Sequence, residues 1–304
     1  MADHLLAVVI VTFNSIDKID ACLESLYSDL GAQPAELVVV DNASTDGTSQ
    51  HIASRWPKVR LLAQSENLGF AAANNLGLRA TRADRILLLN PDTIIHPGSL
   101  AALAAALQAH PEAGLAGPKL VNFDGSLQPS CREFPSLPAD VIGMAELYRS
   151  KMIRRLFGQR FVSLSDHCCP RQVDWLSGAC LLVRSAAVDS TGLMDEGFFM
   201  YSEELEWQYR MYQHGWISWF EPSARVTHDG GASTASLPGD RIIWQYESLL
   251  RFYRLHRTTA QRWGLRLLIW TITWPKILFL AVSWQGNLRR QALLHAFWKV
   301  LWLD

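Results

Sequence analysis

The sequence predicts an α/β fold, a mostly parallel sheet with helices on both faces. Three observations predict it. Strand-like and helix-like segments alternate over the first 110 residues. The strand-like runs, such as "LAVVIV" and "RILLL", are continuously apolar, as strands covered on both faces must be. Each run stops at a polar turn, and in open parallel sheets the ligand binds beyond those carboxyl ends.

The elements follow in order. Leu6–Val11 is apolar and β-branched, a first strand. Ile16, Ile19, Leu23, Leu26 and Leu30 recur at helical spacing. Glu36–Val40 reads as a strand, Ser44–Arg55 as a short helix and Val59–Ala63 as a third strand. Phe70–Ala80 is an Ala-rich helix and Arg85–Leu89 a fourth strand. Gly98–His110 is helical, with Leu100, Leu103, Ala104 and Leu107 on one face. From about 118 to 172, Pro and loop residues prevail and pattern specifies little. Val173–Val183 is strand-like again. Ser202–His214 reads as a helix with Ser202 as N-cap, acids in its first turn and Gly215 after its end.

Composition narrows the function. The 304 residues carry a net charge of −1, which gives no overall field for nucleic acid. The five cysteines, with Cys168 and Cys169 adjacent, form no disulfide framework and read as reduced thiols. The N-terminus "MADHLLAVVIVTFN" has no basic n-region and reads as a strand rather than a signal peptide. Residues 241–304 differ from the rest. They hold ten Lys and Arg against two acids, and seven of the twelve Trp.

Polar residues gather at the four strand ends: Thr12-Phe13-Asn14, "DNASTDGT" at 41–48, "ENLGFAAANN" at 66–75 and Asn90-Pro91-Asp92. One such loop is an ordinary turn; four at consecutive carboxyl ends point to a ligand. Asp41 can accept from a base N–H or ribose hydroxyls, and Gly69 with the following helix start offers backbone N–H groups to an anion. Neither GxGxxG nor GxxxxGK[ST] is present at the first strand, which disfavours a dinucleotide or a P-loop site.

The ordered blocks "VVIVTFN", "VVVDNASTDGT", "NLGFAAANN", "LLLNPDT", "WLSGACLLVR", "FFMYSEELEWQYR" and "VTHDGG" resemble glycosyltransferase family 2, in its bacterial rhamnosyltransferase-like branch. The resemblance covers residues 5–235 or so. It implies a GT-A fold and metal-dependent, inverting transfer of a sugar from a nucleotide donor. It implies that Asp92, with Asn90 in place of the first Asp of an Asp-x-Asp, binds Mg2+ or Mn2+ together with His228. Thr12, Phe13, Asn14, Asp41, Asn42, Asp46, Asn67, Gly69, Phe70, Asn74 and Asn90 would line the donor site. Trp175, Ser177, Gly178, Asp195 and Glu203 would line the sugar and acceptor site. The base falls in the pair Glu203-Glu204, with Glu204 where the family usually has Asp. For Glu206 the ordinary reading is an i,i+4 pair with Arg210.

In this reading, residues 1–120 bind the nucleotide sugar, 121–238 form the acceptor half of the same domain and 239–304 form a basic Trp-rich tail. The longest uncharged stretch of that tail, Leu267–Pro275, is too short to span a bilayer. Basic Trp-rich amphipathic helices lie in the membrane interface. Trp263, Trp270, Trp274 and Trp284 would then meet lipid, and Arg262, Arg266, Lys276, Arg289 and Arg290 headgroups. The alternative is a helical subdomain packed on the body or on a second copy. The expected enzyme is cytoplasmic and peripheral on the inner face of the plasma membrane. Its donor would be a dTDP- or UDP-linked sugar such as rhamnose. Its acceptor would be a glycan or a polyprenyl-diphosphate-linked sugar. Two rivals remain, a sugar nucleotidyltransferase and a non-catalytic nucleotide-sugar-binding protein. The first expects a Gly-rich, basic loop where "TFNSIDKID" stands; the second is favoured only by Asn90 and Glu204.

Overall fold

Four parallel strands, β1 (Leu6–Thr12), β2 (Glu36–Asp41), β3 (Arg60–Ala63) and β4 (Arg85–Leu89), lie in the order β3-β2-β1-β4. The computed structural model describes residues 6–144, 150, 152, 167–230, 238–282 and 288–303. The sheet continues through β11 (Cys180–Arg184), β6 (Ala113–Val121) and β12 (Ile217–His228) to β5 (Thr93–Ile95). Only β11 and β5 on that path run antiparallel to their neighbours. β7 (Leu127–Gln128) and β9 (Arg171–Val173) add to it, and β8 (Cys131–Arg132) pairs β10 (Trp175–Leu176) in a separate ribbon.

Side chains alternate across a strand, and the sheet uses both sets. Val8, Ile10, Val39, Leu87 and Leu89 pack against Ile19, Cys22, Leu23 and Leu26 of α1 (Ile19–Leu30), Ile52 of α2 (Thr48–Arg55) and Leu100, Leu103 and Leu107 of α4 (Ser99–Ala109). Val9, Ile86 and Leu88 face the opposite way, toward Ala71 and Leu78 of α3 (Phe70–Ala80). The same layer holds Ala187 of α6 (Ser185–Thr191) and Trp207 and Met211 of α7 (Glu203–Gln213). This is the expected two-faced sheet, which is why the strands have no polar side.

The Pro-rich middle contains what pattern did not specify: β6 to β8 and α5 (Leu137–Met144). The strand-like stretch at 173–183 is broken in three: Asp174 separates β9 from β10, and Ser177–Ala179 separate β10 from β11. Ser202 occupies the N-cap position with φ +65 but makes no side-chain cap bond, contrary to expectation.

Three helices close the chain: α8 (Pro238–His256), α9 (Thr259–Val282) and α10 (Leu288–Val300). α8 belongs to the body. Its Leu250, Phe252 and Tyr253 are buried with Phe198 and Leu205. Arg251 pairs with Asp195, and His256 reaches Glu206. α9 buries one stripe, Leu265, Ile269, Thr273 and Ile277, at four-residue spacing. Its other side exposes Trp263, Leu267, Trp270, Trp274, Leu278 and Phe279. The expected shortness of this segment needs correcting. α9 runs unbroken through Pro275 for 24 residues and is long and apolar enough, by length and composition, to cross a membrane. The charges at Arg266 and Lys276 divide the sequence without ending the helix. Trp284 lies outside the described residues, as does the side chain of Arg289.

Candidate active site

The register Thr12↔Asp41↔Ala63, with Ile10 opposite Leu89, brings the ends of β1 to β4 to one edge. β11 is antiparallel to β4 and starts with Cys180 opposite Leu89, so Ser177–Ala179 arrive at the same edge. The Asn90 N–H donates to the Ala179 carbonyl at 2.9 Å. β12 ends there with His228 opposite Thr93.

At the first two strand ends, Asp41 is buried. It accepts from Thr12 Oγ1 at 3.0 Å and from Ser44 Oγ at 2.5 Å. Asn14, with φ +49, accepts from the Thr45 N–H at 2.8 Å. Asp46 accepts from the N–H groups of Thr48 and Ile16. Burial raises its carboxyl, but these bonds and the Thr48 hydroxyl outweigh that and hold it below the usual range. Asp46 therefore shapes the loop beside Phe13.

The third loop is clamped from within. Asn42 accepts from the Leu68 N–H and donates to Asn67 Oδ1 and the Gly69 carbonyl. Gly69 has φ +82, and a Cβ there would lie 2.5 Å from the Phe199 carbonyl oxygen, so only glycine fits. The Phe70 N–H donates to that oxygen at 3.0 Å, and the Gly69 N–H to Asn67 Oδ1 at 2.9 Å. Of these two N–H groups, both expected to face an anion, the Phe70 N–H instead fixes the loop to Phe199, and the Gly69 N–H bonds within the loop. Asn74 is buried and turns back to the Phe70 carbonyl.

At the fourth end, Asp92 Oδ1 lies 3.4 Å from His228 Nε2, both side chains about one-tenth exposed. Gln128 Oε1 sits 2.7 Å from His228 Nδ1. An amide oxygen only accepts, so Nδ1 carries the proton. Gln128 Nε2 donates to Asn122 Oδ1, which fixes the amide's orientation. The Asn90 amide is 3.3 Å from Nε2 and is placed to donate to it. His228 Nε2 faces the Asp92 carboxylate, and in its neutral form the imidazole would turn a lone pair there. Two electron-donating atoms facing each other in a nearly buried place fit a shared cation, with Gln128 orienting the imidazole. Among the described residues no group of three or more His, Cys, Asp or Glu gathers. The remaining ligands of such a cation would be phosphate oxygens and water, as suits Mg2+.

The acidic pair opens α7 behind two consecutive left-handed residues, Tyr201 and Ser202. Such backbone is strained in non-glycine residues, and the tertiary contacts on either side hold it. Glu203 is buried. Each of Glu203 and Glu204 has a buried Oε2 with no hydrogen-bond partner among the described residues. Burial pushes both carboxyls up, and the charge of Glu204 raises Glu203 further. Gly178 abuts this pair: a Cβ there would lie 3.4 Å from Glu204 Cγ. Gln208, buried, accepts from the Leu176 N–H at 2.9 Å and donates to the Leu176 and Glu204 carbonyls at 2.8 and 3.0 Å. One amide thus ties the Trp175-Leu176-Ser177-Gly178 segment to the first turn of α7. Ser177 donates its N–H to the Ser130 carbonyl, and Trp175 donates its indole N–H to the Glu133 carbonyl. Asp195 stands apart, held by Arg251 at 2.8 Å and by the Gly197 N–H. Glu206 is buried and pairs Arg210 at 2.9 Å as expected, with His256 as a second partner.

The sequence profile of Glycosyl transferase family 2 matches residues 7–176. The chain belongs to glycosyltransferase family 2. An N-acetylglucosaminyl-diphospho-decaprenol L-rhamnosyltransferase of Mycobacterium tuberculosis is 34% identical, over 94% of this chain and 95% of its own. A dTDP-rhamnosyl transferase of Shigella flexneri is 24% identical, over 81% of this chain and 76% of its own. A solved mannosyltransferase from Pyrobaculum calidifontis, in complex with GDP-Man and Mn2+, has 16% identity and a TM-score of 0.57 over 99% of this chain and 81% of that one. The fold is therefore GT-A, and the relatives make this glycosyltransferase an enzyme of the kind used in polysaccharide synthesis. Its fold brings Thr12, Asp41, Asn90 and His228 to one edge with Ser177 and Gly178, while Asp195 stands apart. Sequence reasoning missed Ser44, Gln128, Phe199 and Gln208. Gln128 and Phe199 act across 100 or more residues of chain, for which a single sequence carries no signal.

Proposed function

We propose that this glycosyltransferase moves a deoxyhexose such as rhamnose from a dTDP- or UDP-linked donor, with inversion, to a polyprenyl-diphosphate-linked sugar. The two rhamnosyltransferase relatives support the sugar, and the name of the Mycobacterium relative supports the acceptor. The observation that carries the mechanism is Glu204 Oε2, a buried carboxylate oxygen with no hydrogen-bond partner among the described residues, at the edge that holds Asp92 and His228.

Asp41, Thr12 and Asn14 hold the nucleoside at the ends of β1 and β2. Asn42, Asn67 and Gly69 shape the loop that closes on it. Asp92 and His228 would hold Mg2+ or Mn2+, which when bound neutralises the donor diphosphate. Glu204 accepts the proton of the acceptor hydroxyl. The acceptor oxygen bonds to the anomeric carbon, and the bond from that carbon to the phosphate oxygen breaks, its electron pair leaving on the nucleoside diphosphate. Desolvation suits Glu204 to this task, because a raised carboxyl is a stronger base. Trp175, Ser177 and Gly178 form the floor on which the acceptor sugar rests.

The exposed side of α9, together with Trp298 and Trp302, would dock the enzyme on the cytoplasmic face of the plasma membrane. The aromatic surface and the surplus of basic residues in 241–304 support this reading.

The test is Glu204→Gln, an isosteric change that removes the base. Turnover with a lipid-linked acceptor falls about 10²–10⁴-fold, the usual share of general-base catalysis, while nucleotide affinity stays. A variant that keeps full turnover would place the base elsewhere.

A further inference from the structure

Arg132 is a cation whose charge reaches Glu204 of the acidic pair. Arg132 lies in β8, and its β-bridge partner is Trp175. Its guanidinium stacks over the Trp175 ring, 5.8 Å from the centroid. It is exposed and has no carboxylate partner among the described residues. Its position is not loose. The β8–β10 ribbon fixes its backbone, and Gln208 ties Leu176, the next residue of that ribbon, to the turn that carries Glu204. The charge of Arg132 acts on Glu204, opposing the effect of burial on that carboxyl.

A guanidinium held on an indole face is pre-organised and pays little to bind an oxyanion. A planar fork of donors suits phosphate oxygens. The carboxyl groups of Glu203 and Glu204 have buried oxygens and are assigned other work. A ligand anion suits Arg132 instead. The acceptor in our functional reading brings one, since the diphosphate sits on the sugar whose hydroxyl faces Glu204. The donor brings another, but the residues placed to meet it lie on β1 to β4 and at Asp92 and His228, not on the β8–β10 ribbon.

We propose that Arg132, stacked on Trp175, binds the diphosphate of the acceptor and so selects phosphorylated over neutral acceptors. This rests on the lipid-linked acceptor proposed above. Steady-state kinetics test it with two acceptors that carry the same sugar, one on a lipid diphosphate and one on a neutral alkyl glycoside. Arg132→Ala raises KM for the diphosphate acceptor about ten- to a hundredfold, the range for one charge-assisted hydrogen bond lost. It leaves KM for the neutral glycoside and for the nucleotide sugar within twofold, and Arg132→Lys recovers part of the loss. Circular dichroism of both variants controls for folding. A rise in donor KM instead would assign Arg132 to the donor and overturn the proposal. So would equal loss on both acceptors, or release from anionic vesicles with acceptor KM unchanged, which would make it a headgroup contact. If the native enzyme ignores the diphosphate acceptor altogether, the functional reading itself fails; if it uses that acceptor and Arg132→Ala changes nothing, only this proposal fails.

Discussion

At the scale of single residues, two pairs of side chains dominate the site, and each makes a separate claim. The Asp92–His228 pair, 3.4 Å apart, claims a cation. Asp92→Ala should abolish transfer and remove metal-dependent binding of the nucleoside diphosphate, with the fold retained. Gln128→Ala should weaken metal affinity by about ten- to a hundredfold, the usual effect of losing a partner that orients a ligand. Calorimetric titration of Mn2+ in the presence of nucleotide reads both, and native affinity in Asp92→Ala would rule the pair out as the metal site. The Glu203–Glu204 pair makes a claim about pH. The folded protein holds a proton on Glu203 well above the ordinary value of 4.5, chiefly because the group is buried. A carboxyl raised in the fold binds protons more tightly folded than unfolded. Its contribution to stability is therefore complete on the acid side and declines as pH rises above about 4.5. Glu203→Gln removes that titration, so the Tm gain of the variant over the native protein should be larger at pH 8 than at pH 5. A pH-independent difference in Tm would count against a buried, proton-holding Glu203.

At the scale of elements, the start of α7 is the part that must be placed most accurately. It follows two strained residues, Tyr201 and Ser202, and Ser202 makes no side-chain cap bond. Three contacts hold the helix instead: Gln208 to Leu176, Trp207 to the Gly192 carbonyl and Arg210 to the carbonyls of Thr191 and Leu193. Of these, Gln208 ties it to the segment that abuts Glu204. Gln208→Leu, similar in volume, should lower kcat at least tenfold while donor affinity stays within twofold. It should also broaden the acid limb of the pH profile, because the Glu204 environment is no longer fixed. A merely structural role would lower Tm and leave the profile of the folded fraction unchanged. Legibility differs along these elements. Phe70–Ala80 and Arg85–Leu89 were read to the residue, since each is a long periodic or apolar run between turn signals. Ser202 departs from the expected cap because its backbone is left-handed and its side chain makes no cap bond, and no local pattern signals that backbone.

At the scale of the whole molecule, the C-terminal helices serve two purposes. α8 completes the core around Phe198 and Leu205; its Arg251 and His256 reach Asp195 and Glu206, and Arg257, just past its end, reaches the Pro135 carbonyl. Cutting at Arg241 should therefore unfold the body, not simply release it from a surface. The outer side of α9 and the edge-packed rings of Trp270, Trp274, Trp298 and Trp302 contribute little to that core. Arg262, Arg266 and Lys276, expected to face headgroups, donate to the carbonyls of Arg254, Leu303 and Met144. Docking should thus depend more on aromatic insertion than on charge. Replacing Trp263, Leu267, Trp270 and Phe279 by Ser should keep a cooperative melt yet remove flotation with anionic vesicles. It should also cripple transfer to a vesicle-embedded acceptor. Flotation equal to that of the native protein would mean that this surface meets another protein.

The sequence by itself determined the two-faced sheet, because apolar runs and helical periodicity are local signals that burial on both faces enforces. It also determined which strand ends carry polar chemistry, since a parallel sheet sends all its carboxyl ends to one edge. Tertiary structure alone decided the rest. It put Asp195 with Arg251, away from the acceptor floor. It spent the Gly69 and Phe70 N–H groups on the chain itself. It set Gln128 behind His228 and Gln208 behind Glu204, and it made α8 of the basic tail a core helix while leaving one side of α9 exposed. These are partnerships between residues far apart in the chain. Which donor meets which acceptor depends on where the packed elements carry them, and no local pattern records that.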